Sequence, residues 1–185
     1  MFDQDDSRPI LEHLPSEFMT WLWFATEDSG GSFILEDLGG IDCYVEDRIA
    51  FRNMEDDKSR TVLTGENAAN TLEARAALAG GRVVKEIRLI IKREDREYSV
   101  TLRGPLLDMS GAKLPGMVKS GTEEVLYDRM YMFEELHSIL GALLSRYAKA
   151  RTADNWKSET VPAMKAWIAE ALEAVGDSPD AGLEP

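Results

Sequence analysis

The sequence predicts an α+β fold: a small, mostly antiparallel sheet of about five to six strands, packed with a long C-terminal amphipathic helix and shorter helices. Three observations predict it. Apolar side chains alternate in steps of two through much of residues 33–102, with turn residues between the runs. From Thr122 to about Arg151 the apolar step becomes three and four, the period of a helix. Shorter apolar or alanine-rich segments at 17–25, 70–79 and 161–175 carry helix start or stop signals. Residues 1–13 read as a flexible lead, 14–175 as one domain, and 176–185 as a disordered Pro/Gly/Asp tail.

In chain order, Ser16 is placed to cap a short helix, Glu17–Ala25, whose almost wholly apolar surface demands burial on most sides. A strand is the competing assignment, since short apolar runs do not decide by period alone. After Asp28-Ser29-Gly30-Gly31, a strand runs from Phe33 to Glu36. Ile41, Cys43 and Val45 alternate with polar neighbours, and Ile49 and Phe51 resume the odd positions. This pattern predicts two strands with a tight bend near Glu46-Asp47. Residues 54–60 form a charged loop before a strand at Thr61–Thr64.

Asn70 and Glu73 frame the start of an alanine-rich helix that Gly80-Gly81 ends. Val83, Ile87, Leu89 and Ile91 then mark one face of a strand, and Tyr98, Val100 and Leu102 that of its partner, with Arg93–Arg96 as the turn. Gly104-Pro105 and Ser110–Gly116 read as the exit loop. In the long helix, Leu126, Met130, Phe133, His137, Leu140, Leu144 and Tyr147 form an apolar stripe, which Val125, Met132, Leu136, Ile139 and Leu143 widen. Such a helix is roughly 45 Å long, more than a small core usually covers. Either the sheet and last helix cover the stripe, or part of it packs against another chain. A final helix spans about Val161 to Val175, with Met164, Trp167, Ile168 and Leu172 on its apolar side.

The 185 residues hold 34 acids and 21 bases, a net charge of −13, which rules out a uniformly basic nucleic-acid coat. A composition 44% hydrophobic and 30% charged is that of a folded protein. The single Cys43 excludes an internal disulfide framework and reads as a buried thiol. The start, MFDQDDSRP, is acidic where a targeting segment would be basic, and the longest apolar run is far shorter than a membrane span needs. A soluble, cytoplasmic chain with no membrane partner is expected.

Little in the sequence speaks for catalysis. His13 and His137 sit in no metal-ligating or nucleophile-activating context, and no phosphate-cradling glycine motif occurs. No catalytic residue, metal ligand or cofactor is assigned. Asp3-Gln4-Asp5-Asp6 and Glu55-Asp56-Asp57 hold clustered hard oxygens that suit Mg²⁺, which keeps a Mg²⁺-dependent nuclease as a minor alternative. Trp21 and Trp23 have ring faces able to stack on bases, but their apolar setting favours burial.

Charge is uneven along the chain. Residues 1–80 carry 17 acids and 6 bases, 81–118 carry 5 and 8, and 119–185 carry 12 and 7. The basic island falls on the hairpin. Arg88, Lys92 and Arg103 project from the face opposite its apolar residues, with Lys85, Arg93 and Arg96 as weaker candidates. Cations on a two-stranded ribbon can neutralise phosphates with salt-sensitive, sequence-independent affinity. Glu86, Glu94, Asp95 and Glu97 dilute the patch, and a solvated face of cross-strand ion pairs is the plainer alternative.

The ordered series FMTWLWF (18–24), LEARAALAGGRVVKEIRLII (72–91), YSVTL (98–102), GAKLP (111–115), DRMYMFEEL (128–136) and NWKSETVPAMKAWI (155–168) resembles the C-terminal part of the bacterial RdgC family of recombination-associated proteins. The resemblance runs from about residue 11 to 172. It implies a non-enzymatic, nucleoid-associated homodimer that encircles duplex DNA and restrains RecA-driven strand exchange, with RecA itself as a further partner. The family's N-terminal half has no counterpart here, so no individual contact residue is carried over. The residues and the resemblance together predict a DNA-binding or recombination-control domain. The alternative is a protein-interaction or dimerisation domain without direct DNA contact.

Overall fold

The computed structural model describes residues 10–53, 60–65, 72–116 and 122–176. The Asp3–Asp6 and Glu55–Asp57 carboxylates and the Asn70 cap lie outside them. Helix α1 (Ile10–Asp28) leads into β1 (Ser32–Leu35), β2 (Gly39–Arg52) and β3 (Arg60–Thr64). Helix α2 (Leu72–Ala79) precedes β4 (Val83–Arg93), β5 (Arg96–Arg103) and β6 (Asp108–Lys113). Helix α3 (Thr122–Thr152), one π-helical turn (Trp156–Thr160) and α4 (Val161–Gly176) complete the α+β fold.

The six strands form one antiparallel sheet in the order β1-β2-β4-β5-β6. Strand β2 is long enough to take two short partners on one edge, β1 against residues 39–42 and β3 against 48–52. The four helices share one side of the sheet. Trp23 of α1 meets Trp167 of α4 edge to face, and Phe18 and Trp21 of α1 pack on Tyr147 of α3. Phe33, Ile41, Cys43, Ile87, Leu89, Tyr98 and Val100 come up from the sheet into the same core. Cys43 is buried as expected, and burial pushes its thiol pKa up to about 12, which leaves it unreactive in the folded protein.

Four expectations need correction. Helix α1 begins at Ile10, inside the segment expected to be a loose lead, so Ser16 is an interior residue and not a cap. Its buried position follows from Leu14, Phe18, Met19 and Leu22, which continue the helical stripe across Pro15. Ser16 does serve locally, its carbonyl accepting a 2.8 Å bond from Thr20 Oγ1.

The bend expected at Glu46-Asp47 is instead an irregularity inside one continuous β2. Val45 pairs with Leu89 and Ile49 with Ile87, so β2 uses four residues where β4 uses two. An even surplus leaves the alternation intact, which is why Ile49 and Phe51 still face the core. A second irregularity falls at Lys85: Ala50 pairs with Glu86 but Phe51 with Val84. That odd surplus flips the parity and turns Val84 inward.

Part of the exit loop expected at 110–116 is strand β6, paired antiparallel with β5. It escaped the periodicity because it is an edge strand with no fully buried side chain. Finally, α3 buries a line different from the one expected. Leu136, Ile139 and Leu143 face the core together with Tyr147 and, in part, Leu140 of the expected stripe, whereas Leu126, Met130, Phe133 and Leu144 are exposed. The residues expected to widen the stripe are its centre.

Candidate functional site

Strands β4 and β5 divide the basic island between two faces. Ile87, Leu89 and Ile91 point toward the helices, so Arg88 and Lys92 leave from the opposite side. Arg103 joins them there, paired in register with Glu86. Arg93 and Arg96, opposite each other at the hairpin end, take the other parity and reach the helix layer. Lys85 is the extra residue of the β4 irregularity, half-buried, its carbonyl accepting a 2.9 Å bond from Gly104 N–H. The hairpin therefore brings three of the six basic candidates onto one face that no helix covers among the described residues, and separates the other three from them.

On that face the cations are largely engaged. Glu86, almost fully buried, pairs with Arg48 and lies 3.1 Å from Arg103 Nε. Lys92 Nζ lies 3.5 Å from Glu97 across the strands. Arg88 Nη2 donates a 2.9 Å bond to Ser99 Oγ. The exposed Lys92–Glu97 pair contributes about 0–1 kcal/mol, so it sets local geometry more than stability.

Arg93 and Arg96 belong to a tighter cluster at the hairpin end. Glu135 projects from α3 with only 5% of its side chain exposed and accepts bonds from Arg93, from Arg96 Nη1 at 2.7 Å and from the Tyr98 hydroxyl. Arg93 Nε also donates to the Leu38 carbonyl at 3.1 Å, and the Arg96 guanidinium lies 5.6 Å from the Tyr131 ring centroid. Burial raises the Glu135 pKa, but the bonds from Tyr98 and Arg96 and both arginine charges outweigh it, holding the carboxyl below its ordinary value. Burial and the same carboxylate push Tyr98 up to about 12. The cluster ties β4 and β5 to α3. Sequence reasoning missed Glu135; its one available signal was its position one turn before the buried Ile139.

The first half of α3 is the second notable feature. Leu126, Tyr127, Met130, Tyr131 and Phe133 are each about half exposed or more, and Leu144 continues the line further along the helix. On soluble proteins apolar side chains are ordinary when scattered; five within eight residues on one helix are a patch. His137 lies on the same line, exposed.

Among the described residues, no three His, Cys, Asp or Glu side chains come together to hold a metal ion, and no helix is long and apolar enough to cross a membrane. Comparison with family models, curated proteins and solved structures finds no match for this chain.

Proposed function

We propose that this chain is a protein-interaction domain that dimerises through the exposed line of α3. The observation that carries the proposal is the exposure of Leu126, Met130, Phe133 and Leu144 while the adjacent line of the same helix is buried. One helix thus has two apolar faces, and its own fold uses one. The partner is a second copy, on two grounds. The positions 126, 130, 133, 137, 140 and 144 follow the alternating four- and three-residue steps of a two-helix seam. Arg129 and Glu134 flank that seam on opposite sides five residues apart, the offset at which a parallel copy brings opposite charges together.

Sedimentation equilibrium is expected to show a dimer, and Phe133→Asp to weaken it at least about tenfold, since a buried unpaired carboxylate costs more than 1.4 kcal/mol. A Leu126→Cys variant is expected to form an intermolecular disulfide with its own counterpart, which an antiparallel seam centred further along would not allow. A chain that remains monomeric at roughly 100 µM would refute the proposal.

Contact with duplex DNA, with restraint of RecA-type recombination as the resemblance implies, is the second reading. It is favoured by Arg88, Lys92 and Arg103 leaving the sheet on one helix-free face. It ranks second because Glu86 and Glu97 already pair two of the three. If it holds, duplex affinity falls steeply between about 50 and 200 mM salt and is lost when the three become alanine. No binding at the lower salt removes it.

A further inference from the structure

The helix-free face of β4–β5–β6 carries a second arrangement that the dimer does not use. Strand β6 changes parity at an irregularity: Ser110 pairs with Thr101, but Lys113, three residues on, pairs with Ser99, two residues back. Gly111, at φ +58°, supplies the left-handed backbone the extra residue needs. Without it Ser110 and Lys113 would lie on opposite faces. With it, both join Ser99, Thr101 and Arg88, which pairs with Thr101, on one face.

The result is a floor of three small hydroxyl residues between two long cations. Ser99 and Thr101 are more than nine-tenths buried. Arg88 spends Nη2 on Ser99, yet its Nε and the Ser110 hydroxyl are buried without a hydrogen-bond partner. Buried groups of this kind are costly unless water or a ligand pairs them. The neighbouring acids are already engaged: Glu86 by Arg48 and Arg103, Glu97 by Lys92. No acidic partner of Arg88 or Lys113 is found among the described residues. Their strands are separated by one strand, roughly 10 Å, so both side chains can converge above Thr101.

We propose that this face holds one compact phosphate-type oxyanion, clamped between Arg88 and Lys113 and hydrogen-bonded by Thr101 and Ser110. A tetrahedral dianion supplies acceptors in several directions at once, matching the donors that lack partners. Glu86, Glu97 and Asp108 ring the site with negative charge, which disfavours a continuous polyanion strand and leaves room for a small ligand.

The full chain is titrated with inorganic phosphate at low ionic strength, followed by amide chemical shifts. Saturable shifts are expected at Thr101, Ser110 and their neighbours. Arg88→Gln and Lys113→Gln are each expected to weaken binding at least about tenfold, while Lys92→Gln stays within about twofold. Lys113 is exposed on an edge strand, so its variant keeps the test valid if Arg88→Gln disturbs the sheet. Shifts that never saturate, or equal losses in Lys92→Gln, overturn the site as diffuse attraction. A short duplex that displaces phosphate and fails to bind Arg88→Gln assigns the site to a backbone phosphate and overturns the compact ligand. Either result leaves the dimer reading untouched, since no α3 residue is involved.

Discussion

Replacing Glu135 by alanine is expected to destabilise the protein by about 3 kcal/mol, read as a lower urea midpoint with an unchanged m-value. The carboxylate is the shared acceptor for Arg93, Arg96 and the Tyr98 hydroxyl. Alanine leaves two guanidinium groups and a buried hydroxyl facing each other with no anion between them. The arginines are 21% and 31% exposed, so water relieves part of the repulsion, and the cost falls at the low end of that for a broken buried pair. Glu135→Gln keeps an acceptor and the side-chain volume and is expected to cost about 1–2 kcal/mol. The pH dependence follows from the direction of each shift. Glu135 titrates lower folded than unfolded, so its contribution is complete above the unfolded value of about 4.3 and is lost as pH falls through its folded pKa. Tyr98 is raised to about 12, so its contribution is complete below about 10 and is lost as pH rises through 12. Glu135→Gln should flatten the acid limb of the stability profile, and Tyr98→Phe the alkaline one. A Glu135→Ala variant within 1 kcal/mol of wild type, on the scale of about 1 kcal/mol for exposed pairs, would mean the cluster is only a surface contact.

What could be read from the sequence depended on whether one pattern had one solution. The β4–β5 hairpin was legible because its alternation is strict and its turn is polar, and the register of Ile87 to Leu102 follows from it. The position of α3 was legible for the same reason, but its orientation was not. Two apolar lines with helical steps run along it, and only the sheet beneath decides that Leu136, Ile139 and Leu143 are the buried ones. Strand β6 was invisible because an edge strand with no fully buried side chain needs no apolar alternation, and Gly111 looks like a loop residue until the pairing of Ser110 and Lys113 with β5 is seen. The basic island was legible as composition but not as a surface. Parity put Arg88, Lys92 and Arg103 together, yet charge counting could not show that the buried Glu86 pairs with Arg103, and with Arg48 from β2, or that Arg93 and Arg96 are taken up by α3. Lys113, which the β6 irregularity delivers to the same face as Arg88, carries no sequence signal at all.

Trp23→Ala is expected to be the most damaging single change described here, at about 4–5 kcal/mol. Trp23 is fully buried where the sheet, α1 and α4 meet. Its ring lies 6.3 Å from Phe51 on β2 and 4.8 Å from Trp167 on α4, the latter at 87°, the favourable edge-to-face arrangement. Its indole N–H donates to Glu27 Oε1 at 2.8 Å, and Trp167 donates to Glu27 Oε2 at 2.7 Å, so one carboxylate fastens both rings. Alanine would leave a cavity under three elements, remove the ring against which Trp167 is seated, and free one oxygen of Glu27. For a domain of this size that is a drop in Tm of roughly 8–20 °C, a large share of a total stability near 5–15 kcal/mol. Trp23→Phe keeps a six-membered ring in the core while losing the bond to Glu27 and part of the indole volume, and is expected to cost about 1–2 kcal/mol. Because Trp167 of α4 is seated against Trp23 and Phe24 of α1, Trp23→Ala should also raise amide exchange in α4 before the β4–β5 hairpin opens. Equal exchange in both, with a loss below about 2 kcal/mol, would show that the seating of α4 does not depend on Trp23.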